Sequence, residues 1–151
     1  MSTELRVALA TENDLNDKFS YDEPKALLFS LNGVNDYGLG EVIKEHWHGD
    51  VYELLASPKA RSVAKDSEFV AILTCGWASP ITEDGDDEVA PSQHPQRRRV
   101  RLFIVASRKG VASVLRFRDD PENPITDDGQ ARGSLADAVQ QLFARADAEL
   151  N

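Results

Sequence analysis

The chain has 151 residues, 26 of them acidic and 17 basic, for a formal net charge of -9. With 41% apolar and 28% charged residues it has the balance of one packed domain, not of a disordered or collagen-like chain. The single cysteine, Cys75, excludes an internal disulfide and a multi-thiolate zinc site within one chain.

No window approaches the roughly 20 apolar residues of a membrane span. The start Met1-Ser2-Thr3-Glu4-Leu5-Arg6 has no basic segment followed by an apolar run, so neither a membrane contact nor export is expected, and a cytoplasmic location is.

Along the chain, Leu5, Val7 and Leu9 alternate with polar or small residues as in a short half-exposed strand, while Leu15 and Phe19 keep the four-residue spacing of a helix. Residues 20–33 read as a short helix: Ser20 and Glu23 have capping-box spacing, Pro24 suits a first turn, and Asn32-Gly33 is a stop. A strand over Ala26–Leu31 competes with that reading. Leu39, Ile43, Trp47, Val51 and Leu54/Leu55 predict a longer helix over 39–55, running through Gly49 and closed by Pro58.

Residues 68–78 predict a buried strand, with Phe69, Ala71, Leu73, Cys75 and Trp77 on one face and Val70, Ile72 and Thr74 on the other. A long polar loop follows at 79–96, with Pro80, Pro91 and Pro95. Next comes a C-terminal hairpin over about 98–118, turning at Ser107-Arg108-Lys109-Gly110. A second polar loop is expected at 119–133, and a final helix over 134–149 with Ser134 as N-cap and Val139, Leu142, Phe143 and Ala146 in its apolar stripe. The sum is a single compact α+β domain over 1–151, with a mainly antiparallel sheet of three to five strands packed by two to four helices.

The charge is segregated. Residues 1–50 carry a net -6, yet from Arg97 to Arg118 there are eight bases and no acid. Acidic clusters flank this stretch at Glu83–Glu88 and Asp119–Asp128. Arg99 and Arg101 share a strand face, as do Arg116 and Arg118 on the partner strand, so four guanidinium groups converge if the strands pair in simple register. Arginine forks suit phosphate or carboxylate. Arg97 and Trp77 complete the candidate binding set. Intramolecular neutralisation by the acidic segments is the plainer reading, and nucleic acid is disfavoured by the net charge.

Chemistry-bearing residues are few. Cys75 ends an apolar run, where cysteine usually serves as a small hydrophobe. Paired with His94 in the 79–96 loop it is the weak catalytic candidate. His46 and His48 stand about 200° apart on a helix, which opposes chelation. His46 with Asp50, spaced i,i+4, is geometrically better as a metal candidate, and His94 in the 79–96 loop is placed to complete a site with Asp84, Asp86 or Asp87; no metal or other cofactor is expected. No dinucleotide, phosphate-loop, nucleophile-elbow or zinc-protease motif is present.

The expected function is a non-catalytic cytoplasmic protein-interaction or regulatory domain using the basic hairpin face and acidic loops, with a protein partner or a second copy as its ligand. The alternatives are a small hydrolase or transferase acting on an anionic, phosphate-bearing substrate through His94 or Cys75 with arginine anchors, and a nucleic-acid-binding domain using residues 97–118.

Overall fold

The computed structural model describes residues 1–78, 93, 95–129 and 134–148. Ten elements follow in order: α1 (Thr3–Leu15), β1 (Ala26–Asn32), β2 (Glu41–His48), α2 (Val51–Ala56), α3 (Pro58–Ala64), β3 (Phe69–Ala78), β4 (Arg98–Ala106), β5 (Val111–Phe117), β6 (Asp120–Asp128) and α4 (Ser134–Ala148). The strands form one six-stranded sheet in the order β2-β1-β3-β4-β5-β6, with every neighbouring pair antiparallel. The class is α+β as expected, with six strands rather than three to five.

Helices cover both faces. One core layer packs Leu54, Leu55, Val63, Val139, Leu142 and Phe143 of α2, α3 and α4 against Leu28, Val70, Ile72 and Ile104. The other packs Leu5, Val7 and Ala8 of α1 against Leu27, Phe29, Leu31, Phe103, Val105 and Val114. Strands covered on both sides read as continuous apolar runs instead of alternating ones, which is why β1, β3 and β4 hold most of the buried strand residues.

Several sequence expectations change. The strand over Leu5–Leu9 is a helix, because Ser2 caps α1 through a hydrogen bond from the Leu5 N–H to its Oγ and Leu5, Ala8, Glu12 and Leu15 line up at helical spacing. The helix over 20–33 gives way to its competitor, β1, whose apolar run is buried on both faces. The helix over 39–55 splits into β2 and α2. Val42, Ile43 and Trp47 suit a strand, and Asp50 starts a new helix by accepting the Tyr52 and Glu53 N–H groups. Pro58, expected to close a helix, instead opens α3 behind the Ser57 cap.

Residues 120–128, expected within a polar loop, form β6. Its prolines, Pro121 and Pro124, fit because β6 is an edge strand. The buried strand, the 98–118 hairpin and the last helix stand as β3, β4–β5 and α4. No helix among the described residues is long and apolar enough to cross a membrane.

Candidate functional site

The four arginines do converge, and the chain covers them. Arg101 and Arg116 are register partners across β4 and β5, on the face that also carries Phe103 and Val105 beneath α1. Both reach Glu12 of α1: Arg101 Nη2 donates to Oε2 at 3.1 Å, and Arg116 donates from Nε to Oε2 at 2.8 Å and from Nη2 to Oε1 at 2.6 Å. Arg101 also donates to the Phe19 carbonyl at 2.6 Å and to Asn16 Oδ1 at 2.5 Å, and Arg116 to the Pro121 carbonyl. The Glu12 hydrogen bond raises the Arg116 pKa further above its ordinary value.

The outer pair is also engaged. Arg99 donates to the Tyr21 carbonyl at 2.7 Å and lies 3.2 Å from Asp22. Arg118 lies 3.4 Å from the same carboxylate. Trp77 stands opposite Arg99 in the β3–β4 register, with the Arg97 and Arg99 guanidinium groups 4.8 Å and 5.0 Å from its ring centroid. The expected arginine-rich face is therefore roofed by α1 and the segment after it, and Arg101 has no exposed guanidinium to offer.

Cys75 is half-buried opposite Arg101. Its Sγ donates to the Ser20 carbonyl at 3.5 Å, and burial pushes the thiol pKa up, the reverse of what a thiolate nucleophile needs. His94 lies outside the described residues. Tyr21 stacks on the Arg101 guanidinium at 4.7 Å. Burial raises its phenol pKa, and its hydroxyl is buried without a hydrogen-bond partner among the described residues.

His46 and His48 do share a face, because β2 is a strand and not a helix. They stand opposite Leu28 and Ala26. His48 Nδ1 accepts the Asp50 N–H at 2.9 Å, while the Asp50 carboxylate caps α2. Desolvation, Lys59 and His48 together lower the His46 pKa. Among the described residues no group of three or more His, Cys, Asp or Glu side chains is placed to hold a metal ion.

The surface that sequence reasoning missed is the β2 edge. Val42 and Ile43 are 50% and 47% exposed there, with Leu39 and Tyr37 exposed just before them. The preceding loop is tied together by its own hydrogen bonds. Asn35 Oδ1 accepts the Tyr37 and Leu39 N–H groups at 2.9 Å and 3.1 Å, and Gly38, at φ +85°, sits against the Arg6 carbonyl. Behind this edge a cavity of about 140 Å³ opens between α1, β1 and β2. Leu15, Phe19, Leu27, Phe29 and Leu31 form its apolar wall, and Leu39, Val42, Asp14 and Glu45 stand at its exposed mouth. Thr11, whose buried Oγ1 has no hydrogen-bond partner among the described residues, is part of the same lining.

The two sheet edges differ. β6 carries Pro121 and Pro124, which have no N–H to offer, together with Asp120, Glu122, Asp127 and Asp128. β2 has no proline and presents Val42 and Ile43 to solvent alongside Glu41, Lys44 and Glu45. The signal for this in the sequence was Val42-Ile43 in a segment read as helical. Comparison with known proteins finds no matching family model, no curated relative and no similar solved structure.

Proposed function

We propose that the chain is a non-catalytic protein-interaction module that recruits an extended segment of a partner protein by strand addition to β2. The supporting observation is the contrast between its sheet edges: β6 is interrupted by Pro121 and Pro124, which have no N–H to offer, while β2 has no proline and carries half-exposed Val42 and Ile43 between its charged Glu41, Lys44 and Glu45. An edge strand whose N–H groups are not removed by proline is a template for pairing with another chain, and a peptide adding there gains main-chain hydrogen bonds, with side-chain pockets supplying specificity. The basic hairpin contributes to this reading as the frame that seats α1 against the sheet, not as the contact surface.

The test is co-purification with wild-type chain and with Val42→Lys/Ile43→Lys, which places lysines on the edge. Both positions are half-exposed, so the variant is expected to keep its melting temperature while losing the proteins that wild type retains. Equal retention by a folded variant overturns the proposal. Protection of β2 amides from hydrogen exchange on complex formation is the complementary readout.

A further inference from the structure

We infer that the segment β2 accepts carries one long apolar side chain, of phenylalanine or methionine reach, with a lysine or arginine two residues away. This rests on the strand-addition reading and specifies its ligand. Glu45 and Val42 of β2 stand opposite Phe29 and Leu31, so both belong to the sheet face under α1, where the cavity opens. A strand added outside β2 lies about 4.8 Å beyond it. Its inward side chain must cross that spacing to enter the cavity, which favours a long residue over valine or alanine. The cavity's 140 Å³ resembles the roughly 150 Å³ apolar cavities that take up benzene.

The neighbouring cation follows from the mouth. Residues two apart on a strand share a face, so the side chain flanking the anchor meets the carboxylates of Asp14 and Glu45. Among the described residues Asp14 makes one ion pair, an exposed contact with Lys18 at 3.6 Å, and Glu45 makes none. A basic–apolar segment thus fits both the cavity and the net -6 of residues 1–50, and an acidic one is repelled.

The experiment uses a labelled peptide, Thr-Lys-Thr-Phe-Thr-Lys-Thr, and fluorescence anisotropy with the full chain. Replacing its Phe by Ala, or both Lys by Glu, is expected to weaken binding roughly tenfold each. The variant Asp14→Lys/Glu45→Lys is expected to reverse the charge preference and bind the Glu peptide better, a reversal that misfolding does not produce. Equal binding of Lys and Glu peptides to wild type, absence of binding, or an unreversed preference in the variant overturns the inference. So does a wild-type dimer in light scattering that Val42→Lys/Ile43→Lys dissociates, since a second copy then covers the edge. Loss of partner capture by that edge variant without binding of the Lys peptide leaves strand addition standing and removes only this ligand.

Discussion

Arg101 and Arg116 face each other directly across β4 and β5, with side chains only 1% and 10% exposed. Like charges opposed in this way repel, and burial makes the repulsion worse. The Glu12 carboxylate bridges them, so one helix residue reconciles two strands. Removing it leaves two buried guanidinium groups uncompensated. Glu12→Ala is therefore expected to cost about 3–5 kcal/mol, read as a lower urea midpoint. A loss under about 1 kcal/mol defeats this account.

The same physics predicts that the ion triad is not the most stable filling of its site. Taking three charges out of water is expensive, and an apolar set of similar volume often does as well. Glu12→Leu/Arg101→Met/Arg116→Met is expected to recover most of what Glu12→Ala loses. If the triple variant is no more stable than Glu12→Ala, the cost lies in lost shape and not in unpaired charge.

Part of this arrangement was legible. Arg101 alternates in phase with Phe103 and Val105, which marks a covered face, but four arginines on adjoining strands suggest an open binding face instead, and neither the burial nor the partner follows from the pattern alone. That partner stayed hidden because Leu5, Val7 and Leu9 suggested a strand, whereas on a helix Glu12 falls within the same stripe as Leu5 and Ala8. The strands β3, β4 and β5 read correctly because covered strands carry long apolar runs. The edges read poorly for the converse reason. β6 looks like a loop, since edge protection uses prolines and acids, and β2 imitates a helix because Leu39, Ile43 and Trp47 fall four apart by coincidence of face. The cavity behind β2 depends on α1, β1 and β2 together and has no local signature.

Gly38 ties the loop before β2 to α1. It adopts φ +85°, and a Cβ placed there lies 2.6 Å from the Arg6 carbonyl oxygen and 3.2 Å from the Ala10 Cβ. Backbone does not yield as a flexible side chain does. Gly38→Ala is expected to destabilise the chain by roughly 1–3 kcal/mol and to increase amide exchange at Tyr37 and Leu39. Gly33 provides the control: its φ is +65° but no atom lies within 4 Å of an added Cβ, so Gly33→Ala is expected to cost less.

Acid should loosen the α4 end of the molecule. The Arg108 guanidinium donates to both Asp147 oxygens, at 3.0 Å and 2.8 Å, and holds that carboxyl below its ordinary value. In the range between the two pKa values the unfolded chain binds the extra proton. The contribution is therefore complete above about pH 4, the ordinary carboxylate value, and is lost as pH falls through the lower folded value. Wild type is expected to exceed Asp147→Asn in stability at pH 7, with the gap closing below about pH 4. A gap that persists unchanged into acid removes the ion pair as its source. The group is exposed, so the difference should be small and salt-sensitive.

Cys75 offers the sharpest discrimination between a structural and a chemical role. Its thiol donates to the Ser20 carbonyl and is pushed up in pKa chiefly by burial, against the smaller opposing pull of the Glu23 backbone N–H and of Arg99 and Arg101. A thiol so placed is protonated at neutral pH, and alkylation requires the thiolate. Iodoacetamide is therefore expected to modify folded chain at pH 7.5 at least roughly tenfold more slowly than urea-unfolded chain, with a rate still climbing above pH 8.5, the ordinary cysteine value. An inflection near or below pH 7 contradicts the burial argument and returns Cys75 to consideration as a nucleophile. The unfolded comparison matters because it holds reagent and sequence constant. Any difference between the two rates then comes from the fold, from the strand that half-buries Cys75 and the carbonyl that occupies its proton.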